Sequence, residues 1–474
     1  MSDDPLAIAE YRPGVSAVLS DAERWPTLTP DGAARLASVR HHPAAPRWTH
    51  ATGDRLTAEQ IERTRRPLPT EGWLEEHLAV ARKLPAYRRL TGLDTLADFP
   101  LISRADLADD VAAFVPLDAD FGRLIHGSSS GSTGAALMIP DDIEEVARSF
   151  HLLVDLVRAE GIDWRPDLSA EPRQAIPELG LPRACRGAEG SAPRSGRMAL
   201  LNLVLQHQAF TYASVISGFE QATMARINLA EADWPYPGAR RDFLLAQDPQ
   251  VITGDPSTLA ELLAPDLVDA VRPLALFSGA MALSAPLRAR LAEAFGCPVF
   301  DVYGLHETRP IGVRTDDGPF RILNRRLVVE IVDDQGRPVP DGELGEIVVT
   351  AGENPLLPLV RYRTGDHARL VELDGRPALA DLEGREHVRF RAPDGSLVSS
   401  IDLTQQLQAH GALGWTIHQS ADGRVAARIA QGDLSSITIA LTTLLGDRVT
   451  VEQVATLAEL GPGKPRRYLT GLFS

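Results

Sequence analysis

His126-Gly127-Ser128-Ser129-Ser130-Gly131-Ser132-Thr133-Gly134 places three glycines, four serines and a threonine in nine residues. The stretch follows Phe121-Gly122-Arg123-Leu124-Ile125, which can end a strand, and precedes a helix-like run over 141–157. Glycines permit positive φ and close backbone approach, and the hydroxyls and free N–H groups would face any anion in the turn. Two readings stand on composition alone: a phosphate cradle, or a flexible surface loop. Two familiar phosphate motifs are excluded. The Walker loop needs a lysine and then Ser or Thr after its last glycine, whereas Gly134 is followed by Ala135-Ala136, and the Rossmann spacing of glycines is absent.

The surrounding chain sets bounds on what such a loop can serve. At 474 residues it exceeds what one hydrophobic core organises, so two or more folding units are expected. Hydrophobic residues at 44% and charged residues at 24% describe an ordinary soluble globular protein. The formal charge of -16 repels nucleic acid and anionic membrane, so neither is expected as main partner and any phosphate site is local. Two cysteines, Cys185 and Cys297, cannot by themselves make a multi-ligand zinc or iron–sulfur site, and they exclude a disulfide framework. Met1-Ser2-Asp3-Asp4-Pro5 lacks a basic n-region and apolar h-region, and no run of about eighteen apolar residues occurs. A cytoplasmic protein is expected.

Residues 1–115 read as mostly helical, with Ala/Arg/Leu/Glu-rich runs at 31–40, 57–65, 71–90 and 103–114 punctuated by prolines. His41-His42 reads as a solvated pair, because no third ligand sits at helical spacing. Residues 161–198, rich in Pro, Arg, Gly and Ala, read as a long loop or lid. Buried-strand runs follow at 198–204, 251–253, 274–278 and 299–303, with helical patterns at 210–226, 257–263 and 285–295 between them. Strands separated by helices argue for a parallel sheet covered on both faces. Over 327–362 short strands divided by tight turns suggest an antiparallel sheet or small barrel. A boundary is expected near Glu383-Gly384-Arg385-Glu386, and the ninety or so residues beyond it read as a small α+β domain. The fold class is therefore α/β, with large mixed sheets and a barrel-like part over 1–383, a hinge at 384–388 and a small mobile domain over 389–474.

Four further stretches line up with the opening loop: Phe277-Ser278-Gly279-Ala280, Asp301-Val302-Tyr303-Gly304-Leu305-His306-Glu307-Thr308, Arg361-Tyr362-Arg363-Thr364-Gly365-Asp366, and Gly384-Arg385. In this order, with Lys464 near the C-terminus, they resemble the adenylate-forming superfamily of acyl-CoA ligases and adenylation domains. Through Pro358-Leu359-Val360-Arg361-Tyr362-Arg363-Thr364-Gly365-Asp366 the chain looks most like the phenylacetate-CoA ligase group. The likeness runs from about residue 95 to the end.

The resemblance implies that a carboxylate attacks the α-phosphate of ATP, pyrophosphate leaves, and the acyl group passes from acyl-AMP to a thiol, either CoA or a carrier-protein phosphopantetheine. Two anions must meet, so metal and positive charge are needed where negative charge builds up. By resemblance, Ser128, Ser129, Ser130, Gly131, Ser132, Thr133 and Gly134 hold the β- and γ-phosphates, Glu307 binds Mg²⁺ and Thr308 bonds the α-phosphate. Tyr303 stacks on adenine, Asp301 bonds its amino group, Gly279 and Ala280 form the opposite wall, and Gly304 belongs to the same nucleotide set. Asp366 accepts both ribose hydroxyls, Arg385 touches the nucleotide, and Lys464 reaches the substrate carboxylate and the bridging oxygen. His207 lies where the family lines its acyl pocket, and Phe210, Tyr212, Phe277 and Met281 offer an apolar pocket for an aryl or medium acyl group; core positions are the alternative for all five.

Three departures qualify the transfer. Ala135 stands where a lysine usually follows the phosphate loop, His387-Val388 stands where the boundary usually carries Asp-Asp, and the C-terminal domain is short. A histidine hinge at His387 would carry a charge that depends on pH near neutrality. Two other chemistries therefore stay open: transfer to an amine or other non-thiol acceptor, and activation of nitrite as in the diazotases of the superfamily. A reading of a different class is a catalytically faded member that binds nucleotide or a partner protein. The identity of the acid, the acceptor and the oligomeric state are left open.

Overall fold

The structure, a computed structural model, describes residues 19–129, 137–165, 197–205, 209–384, 389–400, 403, 406–407, 410–460 and 468–470. The glycine- and serine-rich stretch begins in a hairpin of β1 (Leu124–Ser129) and β2 (Leu137–Asp142), whose register pairs Ser128 with Met138 and Ser129 with Leu137. The helix Ile143–Ala159 starts directly from β2 because Asp142 caps it, accepting from the backbone N–H groups of Glu144 and Glu145.

Twelve strands then build one sheet. They are β3 (Leu200–Val204), β4 (Tyr212–Ile216), β5 (Ala222–Asn228), β6 (Val251–Gly254), β7 (Ala275–Ser278) and β8 (Val299–Leu305). After them come β9 (Arg309–Arg314), β10 (Phe320–Ile322), β11 (Leu327–Val332), β12 (Leu344–Ala351), β13 (Leu359–Leu373) and β14 (Arg376–Glu383). Their order is β11-β12-β13-β14-β10-β9-β8-β7-β6-β3-β5-β4. The middle strands β8, β7, β6, β3 and β5 run parallel, and antiparallel strands continue the sheet on both sides.

Apolar residues on successive positions of the parallel strands bury both faces, as a doubly covered sheet requires. Leu201, Ile252, Leu276 and Val299 pack under the helices Ala239–Gln247, Pro256–Glu261 and Ala285–Phe295. Leu200, Val251, Ala275, Phe277 and Phe300 pack with Val154, Leu156 and Val157 of the helix Ile143–Ala159. The helix Ala285–Phe295 has the limits its sequence announces: Ser284 caps the start and Gly296, at φ +62°, ends it.

One expectation is corrected. Residues 210–226 do not form a helix; they supply β4, a 3₁₀ turn at Ser217–Phe219 and the start of β5. The turn between the strands is closed by Glu220 and Gln221, both at positive φ. Of the two readings for 327–362 the antiparallel sheet is the one found: β11, β12 and β13 pair antiparallel and extend the same large sheet.

Beyond residue 389, β15 (Arg389–Arg391) pairs with β16 (Leu397–Ser399). A four-stranded sheet follows, built from β17 (Gly414–Gln419), β18 (Val425–Ala430), β19 (Val449–Val454) and β20 (Tyr468–Thr470) in the order β19-β18-β17-β20. Phe390, Trp415, Ile417, Ile429 and the helix Leu434–Leu445 share a core drawn wholly from this part of the chain. Among the described residues no helix is long and apolar enough to cross a membrane.

Candidate functional site

The carboxyl ends of β6 and β7 finish level with one another, Gly254 opposite Ser278, and lie beside Asp301 of β8, which runs on to Leu305. Such strand ends in a parallel sheet form the crevice where α/β proteins hold ligands. The Gly279 N–H donates to the Gly254 carbonyl at 3.1 Å, and Ala280 turns the chain away at φ +66°, a conformation disfavoured for a residue with a Cβ. Asp301 is buried, and its Oδ2 accepts from Arg314 Nε at 3.0 Å and Nη2 at 2.8 Å. The Arg314 guanidinium lies 4.2 Å from the Phe320 ring centroid. The expected bond from the adenine amino group to Asp301 would therefore form on a carboxylate that is already charge-compensated.

Two residues beyond Asp301 along β8, the Tyr303 hydroxyl donates to Asp366 Oδ2 at 3.0 Å, joining motifs 63 positions apart in the chain. Tyr303 meets Phe320 edge-on at 6.2 Å between centroids. Asp366 is fixed further by its own N–H, which donates to Thr364 Oγ1 at 3.0 Å. Gly384 lies alongside, close enough that an added Cβ would stand 3.8 Å from Asp366 Oδ1. The expected adenine and ribose groups are thus adjacent, and the start of the expected hinge abuts them.

The turn from β8 to β9 carries Glu307 and Thr308. A bulge at Tyr303 and Gly304 brings the two strands so close that a Cβ at Gly304 would fall 2.4 Å from the Arg309 carbonyl oxygen. Glu307 is buried, and its Oε1 accepts from Arg104 Nη1 at 2.8 Å and from the Tyr362 hydroxyl at 3.3 Å. Thr308 Oγ1 donates to the Arg309 carbonyl at 3.2 Å. Arg309, at φ +62°, reaches back to the foot of the β1–β2 hairpin, where its Nε donates to both oxygens of Glu145 at 2.9 and 3.0 Å. Its Nη2 stands 2.7 Å from Asp141 Oδ1 as an ion pair without hydrogen-bond alignment. His306 Nε2 is 2.9 Å from Asp141 Oδ2.

This group is sunk in the protein, and its charges depend on one another. Burial pushes the Glu145 carboxyl above the usual range, and Arg309 pulls it back. Burial works against the Arg309 charge, but the Glu145 and Asp141 carboxylates outweigh it and hold the guanidinium above its ordinary value. Arg123 completes the foot of the hairpin with a two-point grip on Asp142 at 2.6 and 2.7 Å.

No group of three His, Cys, Asp or Glu suited to a metal occurs among the described residues, so Glu307 would hold a metal only with ligands from elsewhere. Mg²⁺ commonly takes one or two carboxylates and completes its shell with phosphate oxygens and water. A single buried carboxylate fits that pattern only when a nucleotide supplies the remaining oxygens, and a dication here meets Arg104 as a rival counter-ion.

The expected acyl pocket is not assembled as a single group. Phe277 stacks on Phe300 at 4.4 Å with the rings 6° from parallel, inside the core. Met281 lines a crevice with Leu413, Gly414 and Trp415 of the C-terminal part. Phe210 and Tyr212 instead flank His50, at 5.3 and 6.4 Å between centroids. β4 lies four interstrand steps from β7, roughly 19 Å of sheet, so Phe210 and Tyr212 cannot close on Met281. Register places Tyr212, Arg226, Asn202, Thr253, Phe277 and Phe300 in one row across the same face. Asn202 donates to Thr253 Oγ1 at 2.7 Å within that row. Burial raises the Tyr212 hydroxyl's pKa, with Arg226 opposing.

Asn202, Thr253 and Arg226 were missed by the sequence reading, as were Arg104 and Arg314. The first three carried a signal: they are polar residues in the interior of apolar strands. Ser130, Gly131, Ser132, Thr133, Gly134, His207, Arg385, His387 and Lys464 lie outside the described residues. Ser128 and Ser129 are placed as the last backbone pairs of β1.

A family profile described as AMP-binding enzyme matches residues 196–354, which include β3 to β12. The chain is 28% identical over 352 residues to a phenylacetate-coenzyme A ligase of Pseudomonas putida, covering 69% of each chain. It is 36% identical over 131 residues to the phenylacetate-coenzyme A ligase of Escherichia coli (strain K12), covering 26% of this chain and 29% of that one. A 2-hydroxyisobutyryl-CoA ligase solved in its postadenylation state with 2-HIB-AMP superposes with a TM-score of 0.57 over 86% of this chain and 91% of its own. At 16% identity that superposition bears on the fold alone.

Proposed function

We propose that this chain, which belongs to the adenylate-forming superfamily and is an AMP-forming acid ligase, activates a small carboxylic acid with ATP and passes the acyl group to a thiol. CoA is the favoured acceptor, because the similar proteins are named as CoA ligases; a carrier-protein phosphopantetheine offers the same thiol. The observation that carries the reading is the Tyr303–Asp366 hydrogen bond beside the Tyr362–Glu307 contact, which joins two segments, 301–308 and 361–366, that hold the residues expected at adenine, ribose and metal.

In the first half-reaction a carboxylate oxygen of the acid forms a bond to the α-phosphorus, the bond to the β-phosphate oxygen breaks, and pyrophosphate leaves with the electron pair. In the second, a thiol sulfur attacks the acyl carbon, loses its proton, and AMP departs. Asp366 would accept the ribose hydroxyls, and the Tyr303 bond would keep its carboxylate turned toward them. Tyr303 and the Gly279-Ala280 turn would bracket the adenine. Mg²⁺, held by Glu307 with nucleotide oxygens, would neutralise the triphosphate when bound. Arg104 would offer positive charge from the other side of the same carboxylate, which matters more where Ala135 replaces a lysine. Lys464 and Arg385 are assigned to the acid carboxylate and the nucleotide on the family pattern.

Pyrophosphate release with ATP, Mg²⁺ and a panel of acids, with mass detection of the adenylate, tests the reading. Release that depends on one acid and yields its adenylate is the expected result. Measurable ATP binding with no release for any acid would leave only a nucleotide-binding protein.

A further inference from the structure

Leu413 opens β17 and belongs to the C-terminal part by its backbone, since its N–H donates to the Ala430 carbonyl at 3.0 Å. Its neighbours Ala412 and Trp415 pack in that part's own core. The Leu413 side chain does not. It is 6% exposed and is buried in the cluster that holds Leu283, Leu287 and Leu291 of the large part. The wholly buried Ser284 hydroxyl donates to the Leu413 carbonyl at 2.9 Å. One residue of the C-terminal part is thus held by both its side chain and its carbonyl. A leucine that leaves such a cluster exposes its apolar surface to water, so its burial there favours this docked position over any other.

The place of docking is the rim of the nucleotide crevice. Pro256 follows closely on Gly254 at the end of β6, and Met281 follows Gly279 and Ala280, the expected wall of the adenine site. Pro256 and Met281 line one crevice with Trp415 and with Leu457 and Leu460 of the 3₁₀ turn Leu457–Leu460. That turn moves with the C-terminal part. Arg428 Nη1 donates to the Glu459 carbonyl at 2.7 Å, and Leu457 and Leu460 pack with Ala430 and Val454. Gly414 admits it closely, because an added Cβ would stand 2.2 Å from Leu457 Cδ2. The chain runs on from Leu460 toward Lys464, the residue assigned above to the acid carboxylate, so seating this turn brings the start of that segment to the rim.

Resting on the two-step ligase function proposed above, we infer that Leu413 and Ser284 form a latch that holds the C-terminal part over the nucleotide crevice for adenylate formation. Release of this latch sets when the adenylate meets its acceptor. Both are positioning residues, and they touch no reacting atom.

Reading the two steps separately in the full chain tests this. Adenylate formation is followed as pyrophosphate release with ATP, Mg²⁺ and the acid identified by the panel above. The second step is followed from the preformed adenylate of that acid with hydroxylamine, whose nitrogen bonds to the acyl carbon and loses a proton as AMP leaves with the electron pair. Leu413→Ala should slow release by about tenfold or more and leave hydroxamate formation equal or faster, because the docked fraction falls. Ser284→Ala should act in the same direction, and Ser284→Thr, which keeps the hydroxyl, should restore release to within about twofold. The serine pair is the deciding measurement if Leu413→Ala does not fold. Equal slowing of both steps, or release unchanged in the variants, overturns the latch while the ligase reading stands. No release with any acid despite ATP binding overturns both.

Discussion

Asp366 is fixed before any ligand arrives. Thr364 holds its backbone, the Tyr303 hydroxyl holds one carboxylate oxygen, and Gly384 leaves room beside the other. A carboxylate oriented in this way loses little side-chain entropy on binding two hydroxyls. Asp366→Ala is expected to weaken ATP binding by roughly 1.5–3 kcal/mol for each charge-assisted bond lost. Calorimetric titration of ATP reads this directly, and an unchanged dissociation constant would remove Asp366 from the ribose. Tyr303→Phe provides the comparison, because it frees the carboxylate without deleting it and should cost less. Glu307 presents the converse case: its Arg104 counter-ion relieves the cost of burial, at the expense of competition with a bound dication.

At the scale of elements, the β8–β9 turn is the most constrained part of the site. Gly304 has no space for a side chain, because an added Cβ would lie 2.4 Å from the Arg309 carbonyl oxygen and 2.8 Å from Pro310 Cα. Both are backbone atoms and cannot swing aside. Gly304→Ala should therefore lower stability by about 1–3 kcal/mol in denaturant unfolding and shift Glu307 enough to impair adenylation. Loss of activity at full stability would show instead that the turn has slack.

The same elements show how far the sequence could be read. Helix 285–295 was legible because Ser284 and Gly296 mark its ends, and strands β6, β7 and β8 because their apolar runs are short and bounded. Residues 210–226 were misread as helix. Their apolar residues can be set on a helical face, and the positive φ at Glu220 and Gln221 that makes the turn leaves no mark in the residue types. Pairing with β3 then decides the outcome, and such nonlocal packing overrides local preference. In the site, Tyr303, Glu307 and Asp366 were legible as motif residues. Arg104 was not, because its partner Glu307 lies 203 positions away and nothing local distinguishes it from a surface arginine. The aromatic residues named for an acyl pocket are divided between two places, because sequence spacing does not report which strands separate two aromatic residues.

For the whole molecule, the C-terminal part is docked on the large sheet's helices. The buried Ser284 hydroxyl donates to the Leu413 carbonyl at 2.9 Å, Arg290 meets Gln431, and Met281 shares a crevice with Trp415. These are few polar contacts, and on the two-step reading the small part must leave this position to expose the adenylate to a thiol. His387→Pro, which stiffens the connection, is expected to spare pyrophosphate release and to slow thioester formation by about tenfold or more. Separate assays of the two half-reactions check it, and equal loss in both would argue against a hinge there. The continuity of the twelve-stranded sheet has a consequence of its own. Arg226 and Asp301 stand on one rigid grid, four interstrand steps apart, and each step is fixed at about 4.8 Å by backbone hydrogen bonding. A grid of this kind keeps the backbone anchors of the two side chains at a fixed spacing, because side chains can yield to a neighbour but the rungs between strands cannot be respaced.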